Sequence, residues 1–122
     1  MPRHFSRQDR VEEAILRSIA MLLKMNTNDP RFQKVNVTGV DVSPDLSNAI
    51  IFISVLDDEN VSEIVSALNH ASNFLRRQLA NEINLRIVPK IHFRFDKSVS
   101  EGAKLSKLFN ELDIDPHSSE NN

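Results

Sequence analysis

Apolar residues recur along this chain first with a helical period and then with a strand period, and these changes mark out its elements. A period near 3.6 predicts a helix over residues 7–25, and its apolar stripe consists of Val11, Ile15, Ile19, Leu22 and Leu23. Residues 35–42 and 49–56 are rich in β-branched and apolar side chains, which predicts two strands. The second strand is apolar on both faces apart from Ser54, so we expect it in the centre of a sheet. Turn-forming residues at 43–48 predict that the two strands form an antiparallel hairpin.

The apolar positions of the first strand change parity part-way along it. Val35 and Val37 alternate with polar residues, and the alternation resumes one residue late at Val40 and Val42. One extra residue at Gly39 accounts for the jump, which predicts a β-bulge there. A Val at this position is then expected to destabilise the protein, although Val favours strands.

The second half of the chain is predicted to form a long broken helix followed by a third strand. The helical period runs over residues 61–83, which is long for one ordinary helix. We expect the break at Asn73, because Asn tolerates the left-handed backbone conformation better than most residues. Residues 91–96 then alternate strictly between apolar and polar side chains, which indicates a half-buried strand.

Three capping-box patterns in the sequence indicate where helices start. The pairs are Ser6 with Asp9, Asn60 with Glu63, and Ser98 with Glu101. The last pair opens a predicted short helix. Near the end of the chain apolar residues become rare, and residues 113–122 are predicted to be a flexible acidic tail. Residues 1–112 therefore form one α+β domain, in which the helices cover one face of a three-stranded sheet and leave the other for a partner.

Composition narrows the class of protein. The chain has 122 residues and no Cys, so it has no disulfide framework and no thiolate metal site. No apolar run approaches the ~18 residues needed to span a membrane, and the N-terminus lacks the apolar region of a secretory signal. We therefore expect a soluble, cytoplasmic protein.

The small net charge of −2 hides a strong pattern along the chain. Residues 1–34 carry a net charge of +3 and residues 71–110 a net charge of +5. Between them, residues 35–70 carry −6, and residues 111–122 carry −4. A strongly positive face can therefore exist on a nearly neutral molecule, and a polyanion responds to that local field.

The residues do not favour catalysis. The four His show no spacing typical of metal ligands, and the sequence has no Gly-rich phosphate loop and no nucleophile motif. Asp41 and Asp45 are explained by a strand end and a turn. We therefore expect no enzyme activity, no metal site and no cofactor.

The basic residues favour binding to nucleic acid. We expect one basic surface that contacts phosphates and includes Arg3, Arg7, Arg10, Arg76, Arg77, Arg86, Lys90, Arg94 and Lys97. Phe93 and Phe95 are assigned to the core and the chain has no Trp or Tyr, so base stacking is expected to be minor. The alternative is a protein–protein adaptor whose binding face is the acidic segment from Asp41 to Glu63.

Seven fragments, in order along the chain, resemble the ribosome-binding factor A family over residues 7–112. They are Arg10-Val11, Asp29-Pro30-Arg31, Val37-Thr38-Gly39-Val40, Ser43-Pro44-Asp45-Leu46, Ala71-Ser72-Asn73-Phe74-Leu75-Arg76, Leu85-Arg86-Ile87-Val88-Pro89 and Phe93-Arg94-Phe95-Asp96. The resemblance implies a KH-like domain of type II topology, helix-strand-strand-helix-kink-helix-strand. In place of the Gly-x-x-Gly loop of KH domains, the family has an Ala-x-Gly kink. Here the kink reads Ala71-Ser72-Asn73, with Asn where Gly is usual.

The resemblance also implies a function. Family members are non-catalytic assembly factors that bind the small (30S) ribosomal subunit, act late in its maturation and assist 5′-end processing of its 16S rRNA. They are linked to growth in the cold. The expected partners are the small subunit and its 16S rRNA, with other assembly factors as further candidates. The expected state is a monomer without membrane association.

Overall fold

The computed structural model describes residues 6–25, 28–56 and 60–98. Its elements are α1 (Arg7–Met25), a 3₁₀ helix (Pro30–Lys34), β1 (Val35–Val42), β2 (Asn48–Val55), α2 (Val61–His70), α3 (Ser72–Glu82) and β3 (Lys90–Phe95). The described residues do not include Arg3, the acidic tail 113–122, or the predicted helix beyond Ser98 with Glu101 of the third capping box.

The described strands form one mixed sheet in the order β1-β2-β3. β1 and β2 pair antiparallel through the turn at 43–47, which confirms the predicted hairpin. β2 and β3 pair parallel, so the chain must cross from one end of the sheet to the other between them. α2 and α3 make this crossing, and β2 lies in the centre as its two apolar faces predicted.

The core lies between one face of the sheet and the helices. The stripe predicted for α1 is the buried set of that helix, from Val11 to Leu23. α1 packs on β1 and beside α3, while α2 and α3 pack on β3. Ile51 and Ile53 of β2 are fully buried beneath them. Burial of an aliphatic side chain of this size stabilises a fold by roughly 1.5–3 kcal/mol relative to exposure, so this one interface provides most of the stability.

The opposite face of the sheet is not covered by any helix in the described ranges. On this face Lys90, His92 and Arg94 of β3 are exposed, and Ile50 and Phe52 of β2 are half-buried. The arrangement of helices on one face only is thereby confirmed.

The predicted β-bulge interrupts β1, but one residue before Gly39. Val37 is opposite Ile53 and Gly39 is opposite Phe52, which leaves Thr38 as the extra residue. However, the backbone of Gly39 is outside the positive-φ region, and a Cβ added there meets nothing within 4 Å. The expectation that Val at this position destabilises the protein therefore loses its steric basis.

Of the capping boxes predicted at the starts of α1 and α2, the first is confirmed and the second is wrong. At the start of α1 the Ser6 N–H donates to Asp9 Oδ2 at 3.0 Å, and the Asp9 N–H donates to Ser6 Oγ at 3.1 Å, which confirms the box. The box predicted at α2 is wrong, because the side chain of Asn60 makes no capping bond. Glu63 instead pairs with the guanidinium of Arg31 at 3.3 Å, and that contact between distant residues is not visible in local sequence.

The break between α2 and α3 lies at Ala71, and the expectation that Asn73 supplies it is wrong. Ala71 has φ −88° and ψ 3°, in the bridge region between helix and strand. Its N–H still bonds to Ala67 O at 3.0 Å, and its carbonyl accepts from Leu75 N–H at 2.9 Å. A change of about 45° in one ψ angle is enough to redirect the helix, so no left-handed residue is needed. Asn73 lies within α3.

On each edge strand of the sheet, a side chain from a helix bonds to the backbone of one residue. At the β1 edge, Gln8 Nε2 donates to Val42 O at 2.8 Å and Val42 N–H donates to Glu12 Oε2 at 2.8 Å. At the β3 edge, Asn69 accepts from Phe93 N–H at 2.8 Å and donates to Phe93 O at 3.1 Å. Such contacts occupy backbone groups that another chain would otherwise pair with.

Candidate nucleic-acid interface

The basic residues predicted to contact phosphate lie on both sides of the sheet rather than on one surface. Arg10 and Arg77 are exposed on α1 and α3, which both pack on the helix side. Lys90 and Arg94 project from β3 on the opposite face, and Lys97 is exposed just beyond that strand. The expectation of one continuous basic surface is therefore wrong, because a strand places alternate residues on opposite faces of the sheet.

Arg76 is held by the protein itself. Its Nε and Nη2 atoms both donate to the carbonyl of Val88, at 3.1 and 2.7 Å. The side chain is half-buried, and this bidentate contact ties α3 to the connection that leads into β3. The guanidinium therefore positions this connection, and only its remaining donors can face a phosphate.

Arg7 and Arg86 meet at one end of the sheet, around a cavity of about 530 Å³. The first turn of α1, the hairpin turn and the connection before β3 converge there, because β2 and β3 both begin at this end. Apolar side chains of Val11, Leu46 and Leu85 also line the cavity. The lining therefore combines two cationic residues with apolar side chains and with the carboxylate of Asp45.

The hairpin turn beside this cavity is rigid. Asp45 Oδ1 accepts from Ser43 Oγ at 2.7 Å, from Ser47 Oγ at 2.7 Å and from the Ser47 N–H at 3.1 Å. These bonds favour the ionised carboxylate and lower the pKa of Asp45 to about 2, with the Ser47 hydroxyl as the largest cause. Leu46 adopts the left-handed conformation, with φ 62°, and the Asp45 bonds hold the turn around it.

A second cavity, of about 540 Å³, lies between the kink and the 3₁₀ helix. Its lining includes Ala71, His70 and Phe74 from the helices and Arg31 from the other side. Phe74 is 42% exposed, although it is a large apolar residue. Sequence reasoning did not select Phe74, Arg31 or His70 as site residues. The available signal was that Phe74 falls off the apolar stripe of its helix.

Asp29 orients Arg31 at the edge of this second cavity. Their carboxylate and guanidinium approach to 2.7 Å, and the Arg31 N–H also donates to Asp29 Oδ1 at 3.0 Å. The hydrogen bond from the Arg31 side chain lowers the pKa of Asp29, and the same bond raises the pKa of Arg31. The planar donor group is thereby presented beside the kink in a defined orientation.

No group of three or more His, Cys, Asp or Glu side chains in residues 6–25, 28–56 and 60–98 is arranged to hold a metal ion. No helix in the same part of the chain is both long enough and apolar enough to cross a bilayer.

The model of one protein family, described as ribosome-binding factor A, matches residues 7–109. The chain belongs to the ribosome-binding factor A family. A relative of that name from Nitrosomonas europaea is 45% identical over 112 residues, which is 91% of this chain and 96% of the relative. Another from Azoarcus sp. is 40% identical over 112 residues, or 91% of this chain and 89% of the relative.

Solved structures show the same fold. The solution structure of a ribosome-binding factor A from Thermotoga maritima has a TM-score of 0.65 at 29% identity, and the match covers 77% of this chain and 91% of that one. The crystal structure of the Thermus thermophilus protein has a TM-score of 0.64 at 24% identity, covering 73% and 96%. Ribosome-binding factor A structures have a KH-like fold, so the domain described above is KH-like.

Proposed function

We propose that this protein is a non-catalytic assembly factor that binds the small ribosomal subunit in the cytoplasm. On this proposal it acts as a monomer, late in maturation of the subunit, and assists 5′-end processing of the 16S rRNA, with the greatest effect in the cold. The observation that carries the proposal is membership of the ribosome-binding factor A family over residues 7–109. A Thermus thermophilus relative, 24% identical with a TM-score of 0.60, has been fitted into a map of its complex with the 30S subunit.

The geometry supports recognition of folded RNA through phosphates. Arg7, Arg10, Arg77 and Arg86 lie on the helix side or at the hairpin end, and Arg7 and Arg86 share one cavity. Each cation that neutralises a phosphate releases counterions, which makes affinity depend steeply on salt. The lack of a Gly-x-x-Gly loop fits recognition by shape and charge rather than a clamp on single-stranded backbone.

The adaptor alternative has less support. Within the described part of the acidic segment, Asp45 is bound to its own turn and Glu63 pairs with Arg31. Asp41 is exposed on β1, separated from both. These acids therefore do not form one acidic face among the described residues.

Co-sedimentation with purified small subunits at several salt concentrations tests the proposal. We expect binding that weakens steeply with salt, and the double variant Arg77→Glu with Arg86→Glu to bind more weakly. Each lost phosphate contact should flatten the log–log salt slope by ~0.7–0.9. Both side chains are exposed, so the melting temperature should barely change.

A control for each single change, Arg77→Glu or Arg86→Glu, reverses one charge elsewhere. Lys34→Glu changes charge with the same sign at an exposed residue of the 3₁₀ helix that is outside the predicted set. It should bind almost like the unchanged protein. Binding that is absent, or that does not respond to salt, would count against the proposal and favour the adaptor. For maturation, primer extension on rRNA from cells lacking the protein should show unprocessed 16S 5′ ends, most strongly at low temperature.

A further inference from the structure

The sheet face that no helix of residues 6–25, 28–56 or 60–98 covers carries an apolar ridge on its central strand. Ile50 and Phe52 of β2 project from this face and are half-buried there, outside the core formed with the helices. A sheet face that meets only water normally carries polar residues at these positions. Two large apolar side chains in the middle of this face therefore mark it as a contact surface.

The two strands beside β2 leave the ring of Phe52 accessible from one side. On β1 its partner is Gly39, which has no side chain, and a Cβ built there meets nothing within 4 Å. On β3 its partner is Arg94, which is exposed. The ring thus lies between open space over the bulge and a guanidinium group.

Hydrogen-bonded side chains frame this space at both ends. Toward the end of β2, Thr38 Oγ1 donates to Asp96 Oδ2 at 2.6 Å and so links the outer two strands. Toward its start, His92 Nε2 and Asn48 Oδ1 lie 3.2 Å apart. The bulge places Thr38 where it can reach Asp96, and it also leaves Gly39 beside Phe52.

The charge next to the ring favours a phosphate. Lys90, His92 and Arg94 occupy alternate positions of β3 and form a row beside the apolar ridge. Among the described residues, the carboxylates on this face are Asp41, opposite Ile50, and Asp96, which is bonded to Thr38. An aromatic ring whose partner on the next strand is Arg94 matches single-stranded nucleic acid, whose bases stack and whose phosphates need counterions. Bases within a duplex are stacked on each other and are not available to the ring.

We propose that the open face of the sheet binds an unpaired nucleotide of RNA, with its base stacked on Phe52 over Gly39 and its phosphate against Arg94. The inference rests on the proposed function in that it supplies a contact to single-stranded rRNA. This contact lies on the side of the sheet opposite the helices. The sequence predicted that base stacking contributes little to RNA binding. On this proposal Phe52 is the exception.

The test uses the full chain and fluorescein-labelled oligoadenylate of twelve nucleotides, with a blunt RNA duplex of equal length for comparison. Phe52→Leu keeps an apolar side chain but removes the ring, and should weaken single-strand binding about tenfold without changing the salt slope. Phe52→Tyr retains a ring and should bind like the unchanged protein. Arg94→Gln should weaken binding and also flatten the slope, because it removes a phosphate contact.

Gly39→Val provides an independent variant, since it adds a side chain beside the ring at a position where the Cβ meets nothing within 4 Å. We expect it to stay folded and to lose single-strand binding as Phe52→Leu does. In protein labelled with ¹³C at its Phe rings, the Phe52 signals should shift upfield on addition of oligoadenylate. Duplex RNA should produce no such shift.

The outcomes separate this inference from the proposed function. If small subunits bind the protein with the expected salt dependence but Phe52→Leu and Gly39→Val bind oligoadenylate like the unchanged protein, the stacking site is refuted and the function stands. If both variants instead alter self-association while RNA binding persists, the face is an interface between copies and the inference is likewise refuted. If small subunits do not bind at all, the proposed function fails, and the Phe52 signals alone decide whether the face stacks bases.

Discussion

Arg76 lies in α3 with its guanidinium against the carbonyl of Val88, in the connection before β3. In the sequence it is one of two adjacent arginines in a basic segment, and nothing local distinguishes it from Arg77. The difference arises because adjacent helical residues point in different directions. One of these directions meets the 83–89 connection, and the other meets solvent.

We therefore expect Arg76→Met to destabilise the protein by about 1–2 kcal/mol, since the partly buried Val88 carbonyl loses its donors. Arg77→Met is the matched control and should change the free energy of unfolding by less than about 0.5 kcal/mol. Urea denaturation of both variants measures the difference. Equal stabilities would show that the bond to Val88 contributes nothing.

Asp45 gives the hairpin turn a dependence on pH. Its pKa is lowered from 3.8 to about 2 in the folded protein, so the unfolded chain binds more protons between these values. Stability from this group is therefore fully present above pH 3.8 and is lost as pH falls through about 2. Because the carboxylate is exposed, the effect should be small.

Comparing the unchanged protein with Asp45→Asn separates the pH dependence of stability due to Asp45 from that due to the other carboxylates. The urea midpoint of the unchanged protein should fall more steeply than that of the variant as pH is lowered from 4 to 2. Parallel curves would mean that the hydroxyl and N–H bonds to Asp45 do not favour its ionised form.

At the scale of elements, the kink between α2 and α3 follows from the backbone of Ala71, and Asn73 is an ordinary exposed residue of α3. Asn73→Ala should then stabilise the protein by about 0.5 kcal/mol, and Asn73→Gly should destabilise it by a similar amount, in the order of helix propensity. The same pair of variants would show the reverse order if position 73 had a left-handed backbone. Thermal melts of the two variants decide between these orders.

Elements also differ in how well their starts could be predicted. The capping box at Ser6 and Asp9 involves residues three apart, so the sequence contains all of it. At Asn60 the side chain makes no capping bond, and Glu63 has a partner 32 positions away in Arg31. Local pattern is a sufficient guide only where no distant charge competes for the same side chain.

In the whole molecule, helix side chains bond to one residue on each edge strand of the sheet, and no described helix covers one of its faces. Asn69 satisfies both backbone groups of Phe93 at the β3 edge, although nothing in the sequence around Asn69 indicates that role. Gln8 and Glu12 do the same for Val42 at the β1 edge. At these two positions a partner strand would have to displace a helix side chain.

Removal of the side-chain amide of Asn69 should expose the backbone of Phe93 at the β3 edge. Asn69→Ala is expected to destabilise the protein by about 1–2 kcal/mol, because two partly buried backbone groups lose their partners. It should also increase self-association with concentration, since an unpaired edge can pair with another chain. Asn81→Ala, at an exposed residue of α3, is the control for both denaturation and light scattering. A variant that stays as stable and as monodisperse as this control would remove the proposed role of Asn69.

Apolar spacing in the sequence predicted the order of the described α-helices and strands, the core of α1, the central position of β2 and, to within one residue, the bulge in β1. These features depend on the spacing of apolar residues within one element, and burial against a single layer imposes that spacing directly. The family resemblance likewise needed only short fragments in order.

Only the tertiary structure decided what each polar side chain does. It placed Arg76 against Val88 and Lys90 and Arg94 on the face opposite Arg77. It also placed Phe52 beside Gly39 on the sheet face that no described helix covers. The apolar pattern of the sequence had predicted a strand that is central or well covered. The physical reason is that polar and surface contacts join residues far apart in the chain. Their partners are chosen by packing and sheet register, which no local period records.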